Sequence, residues 1–549
     1  MQARYQTTLQ PEKGRFVKPK GAGDVNPTNK TAPFLDRKGG IAYENSMRRL
    51  PAFFLLFVAT LATAAESRPN IVFILADDLG YGEVGFNGQK KILTPNVDRL
   101  AREGLVLNRH YCGNAVCAPS RAVLMTGLNP GQAPVRDNAD VGQGEQIPLP
   151  AGIMTLPNTL KKVGYKTGAF GKWGLGGMDS TGNIFQQGFD HFIGLTSQWQ
   201  AHSHYPAALW VDDKLTPLNN GPQGVPGHGG FPAGADVNDP ANYAAFVGRD
   251  FAPDHFIRGA EAFIAAHAKQ PFFLYFASPL PHVSLQVPAE DLAVYAGKFP
   301  EDKPFAPAAK GSYVPNRTPY ATYAAMITRL DKDVGRIVAA LEKAGVADNT
   351  LIVFSGDNGA THDVGGVDTK FFASAGGLRG LKGSLHEGGV REPTVVRWPA
   401  GIKPGRRSDL TTGFEDWLLT FADLAGIKPS GPTTGESLVP TLKGEPQTRV
   451  HPLYREFPGY GHQQAIWDGK WKAIRTDMLK QLNQTRQVAT QLYDLEADPA
   501  ESNDLAAKFP EVVKELEAKM AAARQPHPKF PVAGLDPLPE GKAKKKAGK

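Results

Sequence analysis

Two cysteines in 549 residues is a low count for a chain of this size. It excludes a disulfide framework. With four residues between Cys112 and Cys117 and no paired histidines after them, it also excludes a zinc knuckle. A local disulfide between the two stays open. A basic domain is missing too. The formal charge is +7, yet residues 1–46 carry eight Lys or Arg against four acids, Arg48 and Arg49 follow, and residues 536–549 carry five Lys against two acids. The span between these ends is slightly acidic, so nucleic acid is not an expected partner. There is no internal repeat, and the apolar stretch after Met47 falls short of the ~20 residues that cross a bilayer.

What is present begins with MRRLPAFFLLFVATLATAAES from Met47, where two arginines precede an apolar stretch and a run of small residues. This reads as a signal peptide over 47–65, cut near Ala64 or Ala65. The protein is therefore expected to be exported, to the periplasm or the extracellular space, without a stable membrane anchor. Residues 1–46, polar and rich in Pro and Gly, read as an upstream mis-start. A catalytic domain is expected over 66–445, a C-terminal subdomain over 446–528 and a disordered basic tail over 529–549.

Hydrophobic content of 41% and charged content of 21% fit a folded globular chain. The run NIVFILA (70–76) is apolar at every position after Asn70, as expected of a strand buried on both faces of an α/β sheet. PFFLYFA (271–277) and LIVFS (351–355) repeat the pattern, each after a predicted helix, around Asp254–Ala268 and Tyr320–Ala344. A further helix is expected from Thr94, with Pro95 at its first position and Gly104 closing it. Helices alternating with buried strands predict a largely parallel sheet covered on both faces. Past Pro399 short amphipathic strands take over, including QAIWDGKWKAIR (464–475) and QLYDLE (491–496), which predicts a smaller α+β part with an antiparallel sheet.

In parallel sheets active groups gather beyond the carboxyl ends of the strands. The residues there are Asp77 and Asp78, His282, and Asp357 and Asn358. The acids and the amide offer only oxygen, which suits a hard divalent cation such as calcium. Gly80, Gly82 and Gly85 spell a dinucleotide fingerprint, but two carboxylates would face the pyrophosphate and no helix is expected to start there.

The string CAPSRAVLMTG, Cys117–Gly127, resembles the signature of the type I sulfatases, whose leading cysteine a maturase oxidises to formylglycine. The resemblance runs from about Arg68 to Arg524 and implies an α/β fold like alkaline phosphatase: a mostly parallel central sheet sandwiched by helices, with a smaller C-terminal subdomain. It implies hydrolysis of sulfate monoesters, on a sulfated small molecule or glycan. An aldehyde hydrate offers two hydroxyls on one carbon: one attacks sulfur to form a covalent sulfate ester, and deprotonating the other expels sulfate. By the same resemblance Asp77, Asp78, Asp357 and Asn358 hold calcium together with the hydrated formylglycine at Cys117. Arg121 steadies that group, Ser120 helps to orient it, Lys172 (GKWGLG) and Lys382 (LRGLKGSLHEGG) contact sulfate, and His282 protonates the departing alcohol.

One position departs from the pattern. The family string is usually GKWHLG, with its histidine assigned to the deprotonation; here the position is Gly174. His202 and His204, in QAHSHYPAALW, are candidates to replace that base or to bind substrate, and the aromatic segment Trp199–Trp210 is expected to face sugars. His386 is expected to pack its own loop, Glu387 to brace the Lys382 loop, and Tyr454, Glu456 and Phe457 to reach the pocket rim. The rival readings are a phosphate or phosphonate ester hydrolase and a weakened relative that binds sulfated glycans.

Overall fold

The computed structural model describes residues 68–538 apart from 143–144, 302 and 309–310. The expected mis-start and signal peptide lie outside the described residues. So do residues 539–549 of the expected tail.

Ten strands make the central sheet: β1 (Asn70–Ala76), β2 (Leu105–Leu107), β3 (Lys166–Lys172), β4 (His191–Leu195), β5 (Ala208–Val211), β6 (Lys214–Pro217), β7 (Phe272–Ala277), β8 (Thr350–Gly356), β9 (Thr394–Arg397) and β10 (Arg406–Ser408). Their order is β10-β2-β9-β8-β1-β7-β3-β4-β5-β6. The central five, β8-β1-β7-β3-β4, are parallel throughout. Antiparallel strands flank them: β9 against β8 and β2, and the β5–β6 hairpin against β4. The three apolar runs are adjacent in the sheet, β8-β1-β7, and every residue of β1, β7 and β8 is buried.

Burial on both faces follows from the two-residue period of a strand. Ile71, Phe73 and Leu75 point into one core with Phe414, Trp417 and Phe421. Val72 and Ile74 point into the other, which holds the inner faces of two helices, Ala252–His267 and Pro319–Lys343. Phe73 meets Phe414 and Trp417 edge-on at 6.1 and 5.9 Å between ring centroids. Pro95–Glu103 is helical as expected, but Thr94 makes no capping bond. Its hydroxyl instead accepts from the Gly85 amide at 2.8 Å.

The C-terminal part contains the antiparallel sheet β11 (Leu453–Phe457), β12 (Gln463–Asp468), β13 (Trp471–Arg475) and β14 (Gln491–Asp494), paired in that order. Leu453, Phe457, Trp467 and Ile474 from one face join the core under the central sheet. The opposite face, with Tyr454 and Ile466, is covered by helix Pro510–Ala522. One expectation is corrected here. The first residues of the predicted tail are packed: Val532 and Ala533 are buried, and Asp536 pairs with Arg524 at 2.6 Å. An apolar pair and a second carboxylate for the Arg524 guanidinium, which Glu456 already meets, order this stretch despite its Pro and Gly content.

Candidate active site

The ends of β1 and β8 are tied together by the groups they deliver. The Asp78 amide donates to Asp357 Oδ1 at 3.1 Å, and Asn358 Nδ2 donates to Asp78 Oδ1 at 2.7 Å. Asp78 has φ of 63°, a left-handed conformation that Asp tolerates better than most residues. Gly80 and Gly82, on the fingerprint-like loop, are there for close approach. A Cβ on either would lie 2.4 Å or less from the carbonyl oxygens of Ser374 and Ala373. A single 3-10 turn, Gly85–Asn87, follows those glycines.

Cys117 is the first residue of helix Cys117–Thr126, so its side chain meets the positive end of a helix dipole. Cys112 and Cys117 are free thiols, which closes the disulfide alternative. Cys117 Sγ lies 3.4 Å from Asp77 Oδ1 and 3.7 Å from Lys382 Nζ. Burial and the neighbouring Asp77 carboxylate push its thiol well above the ordinary range. Unmodified, it is a poor thiolate nucleophile.

Three cations surround three carboxylates. Lys172, the last residue of β3, donates to Asp77 Oδ2 at 2.6 Å. Lys382 lies 2.8 Å from Asp78 Oδ1. Arg121 donates through Nε and Nη2 to Asp357 Oδ2 at 3.0 and 2.8 Å, and through Nη1 to the Lys172 carbonyl at 2.7 Å. All except Lys382 are essentially without solvent contact. Burial alone would raise Asp77, but Lys172, His282, Arg121 and Lys382 outweigh it and hold this carboxyl far below its usual range. Asp357 is pushed up instead, by burial and by Asp77. Two carboxylates this close do not both ionise freely without more positive charge.

Donor atoms of Asp77, Asp78, Cys117 and His282 lie within 4.8 Å of one another. Asn358 Oδ1, also buried, has no hydrogen-bond partner. An orphaned carbonyl oxygen beside three buried carboxylates is the donor set of a hard metal ion, so the residues present fit one.

His282 lies with Nε2 3.6 Å from Asp78 Oδ2. Its Nδ1 is within hydrogen-bond reach of the Val283 carbonyl, which leaves Nε2 as the atom free to gain or lose a proton. Burial, then Lys382, lowers its pKa. The ring of His202 stacks on it at 4.8 Å and 12°. His202 Nδ1 is 2.8 Å from His228 Nε2, and the exposed Trp199 stacks on His228 at 4.3 Å and 4°. Tyr313 packs on the other side of His228. On the other side a cleft of about 770 Å³ has Lys382 in its wall with His362, Tyr460 and Gln463.

Several expected site residues serve the scaffold instead. His204 donates through Nε2 to the His282 carbonyl at 3.0 Å and is wholly buried, so it braces the His282 turn. Ser120 Oγ accepts from the Gly113 amide at 3.0 Å and holds the turn before Cys117. Tyr454, Glu456 and Phe457 are buried and do not reach the rim: Glu456 is consumed by Arg136 and Arg524. The side chain at the cleft from this segment is Tyr460. Glu387 braces as expected, accepting from Tyr111, Trp467 and Lys472, and His386 Nδ1 lies 3.1 Å from Glu501. Sequence reasoning missed His228 and Tyr313, which pack against His202. Their only signal was the glycines flanking His228.

Glu501 makes a pH prediction. Burial would raise its carboxyl, but Lys472 and His386 outweigh burial and hold it below the ordinary range. A depressed carboxyl adds stability that is complete above its unfolded value of ~4.3 and is lost as pH falls through the folded value. The urea midpoint is expected to drop as the pH is lowered below ~4.3, and Glu501→Gln is expected to flatten part of that drop. Identical acid limbs in both proteins would refute the assignment.

Fold and site define a hydrolase of anionic esters: a parallel sheet whose carboxyl rim carries a buried acid cluster ringed by cations. The family model described as Sulfatase matches residues 69–427, and one described as N-sulphoglucosamine sulphohydrolase, C-terminal, matches 381–526. The chain belongs to the sulfatase family and is a sulfuric ester hydrolase. It is 29% identical over 511 residues to an N-acetylgalactosamine-6-O-sulfatase of Bacteroides thetaiotaomicron, covering 82% of this chain and 92% of that protein. It is 31% identical over 497 residues to arylsulfatase A of Homo sapiens, covering 84% and 89%. The crystal structure of Ps i-CgsB in complex with k-i-k-neocarrahexaose superposes with a TM-score of 0.67 at 28% identity, covering 84% of this chain and 94% of that one.

Proposed function

We propose that this protein removes sulfate from sulfated carbohydrate, using a Cys117 oxidised to formylglycine by a maturase and a calcium ion held by Asp77, Asp78, Asp357 and Asn358. The single observation that carries the reading is Cys117 at a helix start, in contact with Asp77 and Lys382, inside a buried set of oxygen donors. Calcium would supply positive charge to the sulfate oxygens and to the acid cluster, and the oxidised side chain would supply the attacking oxygen.

The chain's own residues do the rest. A sulfate monoester brings one negative charge, and Lys172 and Lys382 meet it with ammonium groups held in place by Asp77 and Asp78. Arg121 is tied to Asp357 and to the Lys172 backbone, so it fixes the distance between the acid cluster and the lysine strand. His282 protonates the departing oxygen through Nε2. Burial favours its neutral form, and the anion of an arriving substrate shifts it toward the protonated one. The carbohydrate reading is supported by the exposed ring of Trp199 beside this centre and by the substrates named for the relatives. Export is part of the same proposal and rests on the Met47 segment alone. Among the described residues no helix is long and apolar enough to cross a membrane.

The test is a rate comparison on a sulfated monosaccharide and its phosphate counterpart. Chelator-treated protein is expected to lose desulfation. Added calcium is expected to restore it and to raise Tm, because a ligand that binds only the folded state at ~100 times its Kd stabilises by ~2.7 kcal/mol. Equal activity with and without chelator, or faster turnover of the phosphate, would overturn the reading.

A further inference from the structure

Gly174 and Gln198 exclude one another. Gly174 has φ of 74°, and a Cβ built on it would lie 2.2 Å from Gln198 Nε2 and 2.9 Å from its Cδ. The amide of Gln198 thus fills the volume in which a side chain at 174 would begin. The two segments are held side by side by backbone bonds. Lys172 pairs with Leu195, the Trp173 amide donates to the Leu195 carbonyl at 2.9 Å, and the Gly174 amide donates to the Thr196 carbonyl at 3.1 Å.

Gln198 is only 6% exposed, yet neither its Oε1 nor its Nε2 has a hydrogen-bond partner. That is unusual. Burying a polar group without a partner is costly, so native proteins seldom leave both ends of an amide unmet. An apolar side chain of similar size would fill the same space without that cost. Nor is this a remote corner. Gly174 is two residues from Lys172, which is bonded to Asp77. On its other flank Gln198 precedes the short turn Gln200–His202, which lays the His202 ring on His282. The amide sits between the residues that deliver the sulfate-binding lysine and those that back the proton donor.

The geometry points to Gln198 as a further substrate-contacting residue of the desulfation reaction, its amide meeting the sulfate ester in the space that Gly174 leaves open. This rests on the function proposed above. The ligand chemistry follows from the two free ends of the amide. Nε2 donates to a sulfate oxygen, which can only accept, and Oε1 accepts from a hydroxyl beside that sulfate. A primary amide takes up no proton near neutral pH, so Gln198 orients the ester and removes no proton from it.

The experiment uses the full, matured, calcium-loaded protein, with kcat and KM measured on a sulfated monosaccharide. Gln198→Met keeps the bulk and removes both polar ends. Its Tm is expected to equal or exceed that of the wild type while kcat/KM falls at least ten-fold, with KM carrying part of the loss. A purely space-filling Gln198 would leave kcat/KM unchanged at the same equal or higher Tm, and that would overturn the inference. Gln198→Glu decides the matter if the Met variant folds poorly. A carboxylate facing sulfate is expected to raise KM more than ten-fold, and a KM equal to that of the wild type would overturn the inference as well. Failure of the parent reading looks different, since the wild type itself would then release no sulfate.

Discussion

Cys117→Ala is expected to abolish desulfation, with kcat reduced by a factor on the order of 10⁴–10⁶, the range seen when an enzyme loses the nucleophile of a cooperating set. The fold should hardly notice. Cys117 is 1% exposed and its Sγ makes only long contacts, to Asp77 and Lys382. Removing the polar end of this side chain from a site that remains flanked by charged groups leaves room for water. The lysines, Arg121 and the carboxylates keep one another paired. The check is therefore a pair of measurements on one preparation, sulfate release and Tm. Cys117→Ser sharpens it, because a serine hydroxyl can attack sulfur but has no second hydroxyl on the same carbon to drive release. Stoichiometric sulfate transfer to the serine variant without turnover is the expected result. Full turnover by the alanine variant would remove Cys117 from the reaction.

The second large effect lies away from the reacting atoms. Lys472 on β13 is completely buried, with Nζ 3.0 Å from Glu387 Oε1 and 2.8 Å from Glu501 Oε1, and it lies 4.5 Å from the centre of the Trp467 ring. Glu387 in turn accepts from Tyr111 and Trp467, and its amide donates to Glu501 at 2.7 Å. Lys472→Met keeps the packing and removes the charge, which leaves two carboxylates buried against each other. Breaking a buried pair in this way costs ~3–5 kcal/mol. Urea unfolding is expected to register that loss, and the activity of the folded fraction is expected to fall too, because Glu387 closes the loop that begins at Lys382. A variant as stable as the wild type would show that the three charges are replaceable by apolar contact.

The same cluster shows which parts of this protein were legible along the chain. Asp77, Asp78, Asp357 and Asn358 could be read because each pair directly follows a largely apolar strand. Such strands are central in a parallel sheet, and their carboxyl ends share a rim. Lys172 could be read as a site residue from its motif, but not as the last residue of a strand, since KTGAFGK has too little apolar regularity to announce β3. The β5–β6 hairpin and the antiparallel β9 were equally silent, being short and at or near the sheet margins. His204 looked like His202 on paper. Only the fold turned one toward the His282 backbone and stacked the other on its ring.

Sequence alone thus determined the acid pairs and the class of sheet, because these depend on local composition and on the two-residue period of buried strands, while the nucleophile proposed at Cys117 was read only from the resemblance of CAPSRAVLMTG to the sulfatase signature. Tertiary structure decided the partners. Gln198 against Gly174, His228 between Trp199 and Tyr313, and Lys472 between two glutamates are contacts between segments far apart in the chain or set by strand pairing. Steric exclusion and charge pairing act through space, and no spacing along the chain encodes which loops the sheet order brings together.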